Sequence, residues 1–92
     1  MIKSWNHKGL EKFFRTGSKA GIIAVHAERL REQLFLLNTV TSAEQMNFPG
    51  YRLHKLIGDR DCFWSITVSG NWRITFKFEG TDAFIVGYED YH

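Results

Sequence analysis

The strongest constraint in this chain is a strict alternation in its second half. From Trp64 to Val68 the apolar residues Trp64, Ile66 and Val68 take every second position, with Ser65 and Thr67 between them. From Trp72 to Phe78 the apolar residues are Trp72, Ile74, Phe76 and Phe78, and Arg73, Thr75 and Lys77 fill the gaps. A period of two belongs to a β-strand with one face buried and the other in water. Both apolar sets fall on even numbers, so a hairpin joining them needs paired residue numbers with an even sum. A three-residue loop, Ser69-Gly70-Asn71, meets that condition and offers Asn71 for a left-handed position. Val68 then faces Trp72, Ile66 faces Ile74 and Thr67 faces Arg73. A second hairpin turning at Glu79-Gly80-Thr81-Asp82 sets Phe76 against Ile85 and Arg73 against Tyr88. An extended tail then sends Asp90 and His92 to the side of Arg73 and Tyr88, together with Phe84 and Val86.

The first half reads as scaffold. Met1 to Trp5 alternates weakly, as a first strand would. Asn6 is a candidate N-cap for a short helix carrying Leu10, Phe13 and Phe14 and ending near Gly17. Ser18 can cap a longer helix in which Ile23, Ala27, Leu30, Leu34 and Leu37 recur at steps of four and three. Thr41 and Ser42 each begin a capping-box pattern that ends on Glu44 or Gln45, and Phe48-Pro49-Gly50 leads into the sheet. The expected class is α+β, two N-terminal helices packed on one face of a small antiparallel sheet.

Ninety-two residues without a Gly, Ser or Pro-rich linker predict a single domain over 1–92. Residues 1–77 hold all twelve Lys and Arg but six of the ten acids, while 78–92 hold the other four acids and no cation. A basic body suits a polyanion partner. Cys62 stands alone, which excludes an internal disulfide and suggests a reducing, cytoplasmic setting. No apolar run is long enough to span a bilayer, so no membrane partner is expected.

The polar residues of the sheet are of kinds that handle phosphate and protons. His54, with Lys55 beside it and Arg60 in the following loop, joins Arg73, Tyr88, Asp90, Tyr91 and His92. Metal-ligand spacings, a Gly-rich phosphate loop and a nucleophile elbow are all missing, so no metal or cofactor is expected. The remaining set suits metal-free cleavage of RNA. There a 2′-hydroxyl attacks the adjacent phosphorus, a base takes its proton, an acid protonates the leaving 5′-oxygen, and cations steady the phosphate. Histidine, titrating near ~6.5, serves either proton role. Arginine grips phosphate through two parallel hydrogen bonds, and an exposed tyrosine stacks on a splayed base. Taken singly, each residue has a plainer reading: a surface histidine, a sheet-face cation, a frayed terminus.

Taken together, Tyr51-Arg-Leu-His-Lys-Leu-x-Gly-Asp-Arg60, Trp64-Ser-Ile-x-Val68, Asn71-Trp-Arg-Ile-x-Phe76 and Tyr88-Glu-Asp-Tyr-His92 resemble the HigB toxins of the RelE/ParE toxin–antitoxin superfamily. Met1-Ile-Lys-Ser4 and His7-Lys-Gly-Leu10 extend the resemblance over the whole chain. It implies a RelE-like fold and an mRNA interferase that acts on the 70S ribosome, cutting mRNA in the A site and inhibiting translation. It implies catalytic roles for His54, Arg73, Asp90, Tyr91 and His92, and RNA contacts from Lys55, Arg60, Asn71, Lys77 and Tyr88. It further implies a HigA-like helix-turn-helix antitoxin, through which alone the toxin meets operator DNA. The chain departs from its relatives at Ile57, where a lysine is common. Two other functions fit the same chain: a ribosome- or antitoxin-binding module that cuts nothing, and a ParE-like gyrase inhibitor.

Overall fold

A computed structural model of the chain describes residues 1–60 and 62–91. The first helix, α1, spans Lys8–Thr16. Its N-cap is His7 rather than Asn6: His7 is extended, and its Nδ1 accepts the Leu10 N–H at 3.0 Å. Asn6 is engaged elsewhere, donating its backbone N–H to the carbonyl of Val86 at 2.8 Å. Gly17 closes the helix in the left-handed conformation (φ 81°), its N–H bonded to the Phe13 carbonyl. Leu10 and Phe13 face the core.

The longer helix starts later than Ser18 predicts. A short 3₁₀ turn at Ala24–His26 leads into α2, Ala27–Thr39. Before it the chain crosses α1 backbone to backbone. A Cβ on Gly9 would lie 2.5 Å from the Gly21 carbonyl oxygen, and one on Gly21 would lie 2.4 Å from Gly9 Cα. That crossing keeps residues 18–23 irregular and leaves Ile23 outside the apolar stripe. The rest of the stripe is buried as expected: Ala27, Leu30, Leu34 and Leu37. Gln33 joins them, donating from Nε2 to the Thr67 carbonyl at 2.8 Å. A second 3₁₀ turn, Ala43–Met46, occupies the place of the capping-box pattern.

Among the described residues four strands form one antiparallel sheet in chain order: β1 (His54–Lys55), β2 (Trp64–Ser69), β3 (Trp72–Glu79) and β4 (Asp82–Asp90). The β2–β3 hairpin pairs Ile66 with Ile74 and Thr67 with Arg73, as the alternation requires. Its end differs: Ser69, not Val68, pairs with Trp72, and an irregularity between Thr67 and Ser69 absorbs the odd residue.

The β3–β4 hairpin corrects a larger expectation. Near its turn Lys77 pairs with Phe84 and Phe78 with Ala83, the expected register. A β-bulge then intervenes. Beyond it Thr75 pairs with Gly87, Ile74 with Tyr88 and Arg73 with Glu89. Ile85, at the bulge, has φ 55°, a left-handed conformation seldom taken by a β-branched residue. One extra residue exchanges the two faces of the strand end. Val86 and Tyr88 therefore turn inward to the helices, and Glu89 takes the side expected of Tyr88 and Asp90.

The N-terminal residues run parallel along the free edge of β4, through bridges Ile2 to Ala83 and Trp5 to Val86. The core lies between sheet and helices, built from Leu10, Leu30, Leu34, Leu37, Met46, Ile66, Ile74, Phe76 and Val86. Among the described residues no helix is long and apolar enough to cross a membrane.

Candidate active site

The helix-free face of the sheet carries two rows of polar side chains. In one row His54 of β1 pairs with Ser65 of β2, which pairs with Thr75 of β3 and on to Gly87 of β4. In the next, Thr67 pairs with Arg73 and Arg73 with Glu89. Gly87 is fixed by packing: a Cβ there would lie 2.9 Å from Thr75 Oγ1.

His54 is exposed, and its environment defines its tautomer. Nδ1 is 3.2 Å from the Arg52 carbonyl oxygen. That oxygen can only accept, so Nδ1 carries a hydrogen. In the neutral ring Nε2 is then the acceptor, and the Ser65 hydroxyl donates to it at 3.4 Å. A histidine held in this way keeps an unprotonated second nitrogen, here shared with the Ser65 hydroxyl across a long contact.

Arg73 is half-buried and constrained on both sides. Its Nη1 donates to Thr67 Oγ1 at 2.6 Å, and its guanidinium carbon lies 5.6 Å from the centre of the Tyr91 ring, within cation–π range. Thr67 is itself pinned: its N–H donates to the Tyr51 carbonyl at 2.7 Å, and its own carbonyl accepts from Gln33. Tyr91 is tied by its N–H to the Asn71 carbonyl at 2.8 Å. The loop before β2 reaches the same face. Arg60 grips Glu89 with two parallel hydrogen bonds, Nη1 to Oε1 at 2.8 Å and Nη2 to Oε2 at 3.2 Å. That contact holds the Arg60 proton more firmly than usual. Among the described residues no three or more His, Cys, Asp or Glu side chains gather closely enough to hold a metal ion.

The profile of the HigB-like toxins, RelE-like toxins of the type II toxin–antitoxin system HigB, matches residues 3–92. The chain belongs to that family. It is also 48% identical, over all 92 residues and the full length of both chains, to the Endoribonuclease HigB of Proteus vulgaris. As a member, this HigB-like toxin has an antitoxin as partner.

In this HigB-like toxin His54, Arg73 and Tyr91 lie on the helix-free face, with Arg60 brought to it through Glu89. Tyr88 does not. It is 5% exposed, and its hydroxyl lies 2.6 Å from Nδ1 of the buried His26, so its ring cannot stack on a base. Burial raises its phenol above the ordinary range. Asp90 pairs with Trp72, on the opposite side of β4 from Glu89, exposed at the strand end. The bulge at Ile85 accounts for both departures. Lys55 pairs with Trp64 and extends over its ring at 5.8 Å, so it also turns away from His54. Lys77 shares the Arg73 face four residues along, about 13 Å away, and its Nζ meets Glu79 at 2.9 Å. Asn71 is exposed in the β2–β3 turn. His92 lies outside the described residues. The alternation alone missed Glu89, because it took the strand as unbroken. Ser65 was legible as a same-face neighbour of Thr67 but drew no role.

Proposed function

We propose that this chain is a ribosome-dependent endoribonuclease that cuts mRNA in the ribosomal A site and so inhibits translation. Acting on ribosomes, it works in the cytoplasm. The observation that carries the reading is the pairing, on one open face, of a histidine in a defined tautomer with an arginine oriented for an anion. The Proteus vulgaris relative is an endoribonuclease, which supports RNA cleavage as the activity.

Arg73 receives the scissile phosphate. Thr67 and Tyr91 restrict its rotation, so little reorganisation is needed as charge builds on the phosphate oxygens. The 2′-oxygen forms a bond to phosphorus while the bond from phosphorus to the 5′-oxygen breaks. The 2′-proton passes to a base, and the departing 5′-oxygen takes a proton from an acid. The products are a 2′,3′-cyclic phosphate and a 5′-hydroxyl, and no step calls for a metal ion. His54, through Nε2, fills one proton role. Asp90 and His92 enter by their kinship to the family's closing motif and share the other. Tyr91 presents its exposed ring to the RNA, and Lys55, Asn71 and Lys77 meet the mRNA or ribosomal RNA at the rim. The antitoxin is a HigA-like helix-turn-helix protein, and only through it does the toxin reach operator DNA.

The test is to map the 5′ ends of a reporter mRNA after brief induction. New ends within the reading frame, bearing 5′-hydroxyls, are expected. Stalled translation with intact mRNA would indicate a binding module instead, and DNA breaks preceding the loss of translation would indicate a gyrase inhibitor.

A further inference from the structure

Glu89 stands directly across from Arg73 in the β3–β4 pairing. Side chains so placed share a face, with Cβ atoms about 4.5–5.5 Å apart, and a glutamate at that range is an ordinary partner for an arginine. Its carboxylate goes elsewhere. Arg60 takes both oxygens, at 2.8 and 3.2 Å, while Arg73 turns to Thr67 and Tyr91. The loop holds Arg60 in place: Leu56 N–H bonds the Phe63 carbonyl at 2.8 Å, and Phe63 N–H bonds the Arg60 carbonyl at 2.9 Å.

We infer that Arg60 is a positioning residue that draws Glu89 away from Arg73, keeping the Arg73 guanidinium clear of an internal carboxylate and open to RNA phosphate. The inference rests on Arg73 as the phosphate-binding group. A carboxylate offers a guanidinium the same paired acceptors that a phosphate does. A Glu89 released onto Arg73 would compete with the substrate at every turnover and would neutralise the charge that the reaction needs. Arg60 holds both Glu89 oxygens at once, whereas Arg73 already commits Nη1 to Thr67. Glu89 stands opposite Arg73, whose guanidinium packs on the Tyr91 ring, and this places the restraint at the edge of the site.

The experiment compares Arg60→Ala, Glu89→Gln and the double variant of the full chain. It measures single-turnover cleavage on mRNA-programmed ribosomes and thermal unfolding of each protein. Arg60→Ala is expected to slow cleavage about tenfold or more, within the range of coupling between contacting residues. Glu89→Gln stays within about threefold of the unaltered chain, and the double variant returns to within about threefold of it. Should Arg60→Ala fail to fold, Arg60→Met keeps the apolar stem and tests the same outcomes. A loss that persists in the double variant would make Arg60 a direct RNA contact and overturn the inference. So would a Glu89→Gln variant as slow and as unstable as Arg60→Ala, the result for a purely structural staple. An unaltered chain that cuts no mRNA would overturn the reading of the site, and the inference with it.

Discussion

Replacing Thr67 with valine isolates the orientation of Arg73. The substitution keeps the shape and the strand preference of the side chain and removes one oxygen. That oxygen accepts from Arg73 Nη1 at 2.6 Å. A hydrogen bond to a charged group contributes about 1.5–3 kcal/mol, but Arg73 is only half-buried and recovers part of this from water. About 1.4 kcal/mol remains as lost orientation, or about tenfold in rate. The backbone contacts of Thr67 with Tyr51 and Gln33 survive, so the unfolding temperature should move by only a few degrees. Single-turnover cleavage on programmed ribosomes reads the effect, with the loss in the maximal rate rather than in the concentration for half-saturation. Thr67→Ser restores the acceptor and should restore most of the rate. A Thr67→Val protein cutting at full speed, or a Thr67→Ser protein as slow as Thr67→Val, would refute the argument.

Arg73→Ala should lower cleavage about 10²–10³-fold, the range for losing one preorganised donor at a developing charge, and should relieve growth arrest without unfolding the protein. Ile85→Asn should stabilise the fold, because asparagine tolerates the left-handed φ of 55° that isoleucine holds at a cost of about 1–2 kcal/mol. A gain of about 1 kcal/mol raises the melting temperature by roughly 4–8 °C in a domain of this size. Burial raises the phenol of Tyr88, and burial with a hydrogen bond to Glu32 raises that of Tyr51. The unfolded chain releases these protons near pH ~10 while the folded chain retains them. Stability should therefore hold below that pH and fall as the pH climbs above it, and Tyr51→Phe with Tyr88→Phe should reduce the slope in urea titrations between about pH 9 and 11.

The sheet was legible where alternation is uninterrupted. Ile66 opposite Ile74 and Thr67 opposite Arg73 follow from parity alone. The helical stripe from Ala27 to Leu37 was equally open to reading, since four buried residues repeat at helical spacing. The end of β4 was not. Phe84, Ile85 and Val86 form an unbroken apolar run, so nothing in the polarity marks which residue is extra, and periodicity cannot locate a bulge inside it. Parallel pairing with residues 1–6 helps to position that bulge, and a contact 81 residues distant in sequence leaves no local trace. Likewise Ser18 looks like a helix start, but the close crossing of Gly9 and Gly21 delays the helix to Ala27. For the site, residue types and the family's motifs pointed to His54, Arg73 and Tyr91. The diversion of Glu89 to Arg60 required the shifted register.

In the proposed mechanism the helix-free face of the sheet drives a 2′-hydroxyl onto the adjacent phosphate. The direct measurement is cleavage of an mRNA on programmed ribosomes with a single 2′-deoxynucleotide on the 5′ side of the mapped cut. Cutting at that position should cease while neighbouring ribonucleotide positions remain substrates. Undiminished cutting at the deoxy position would contradict it.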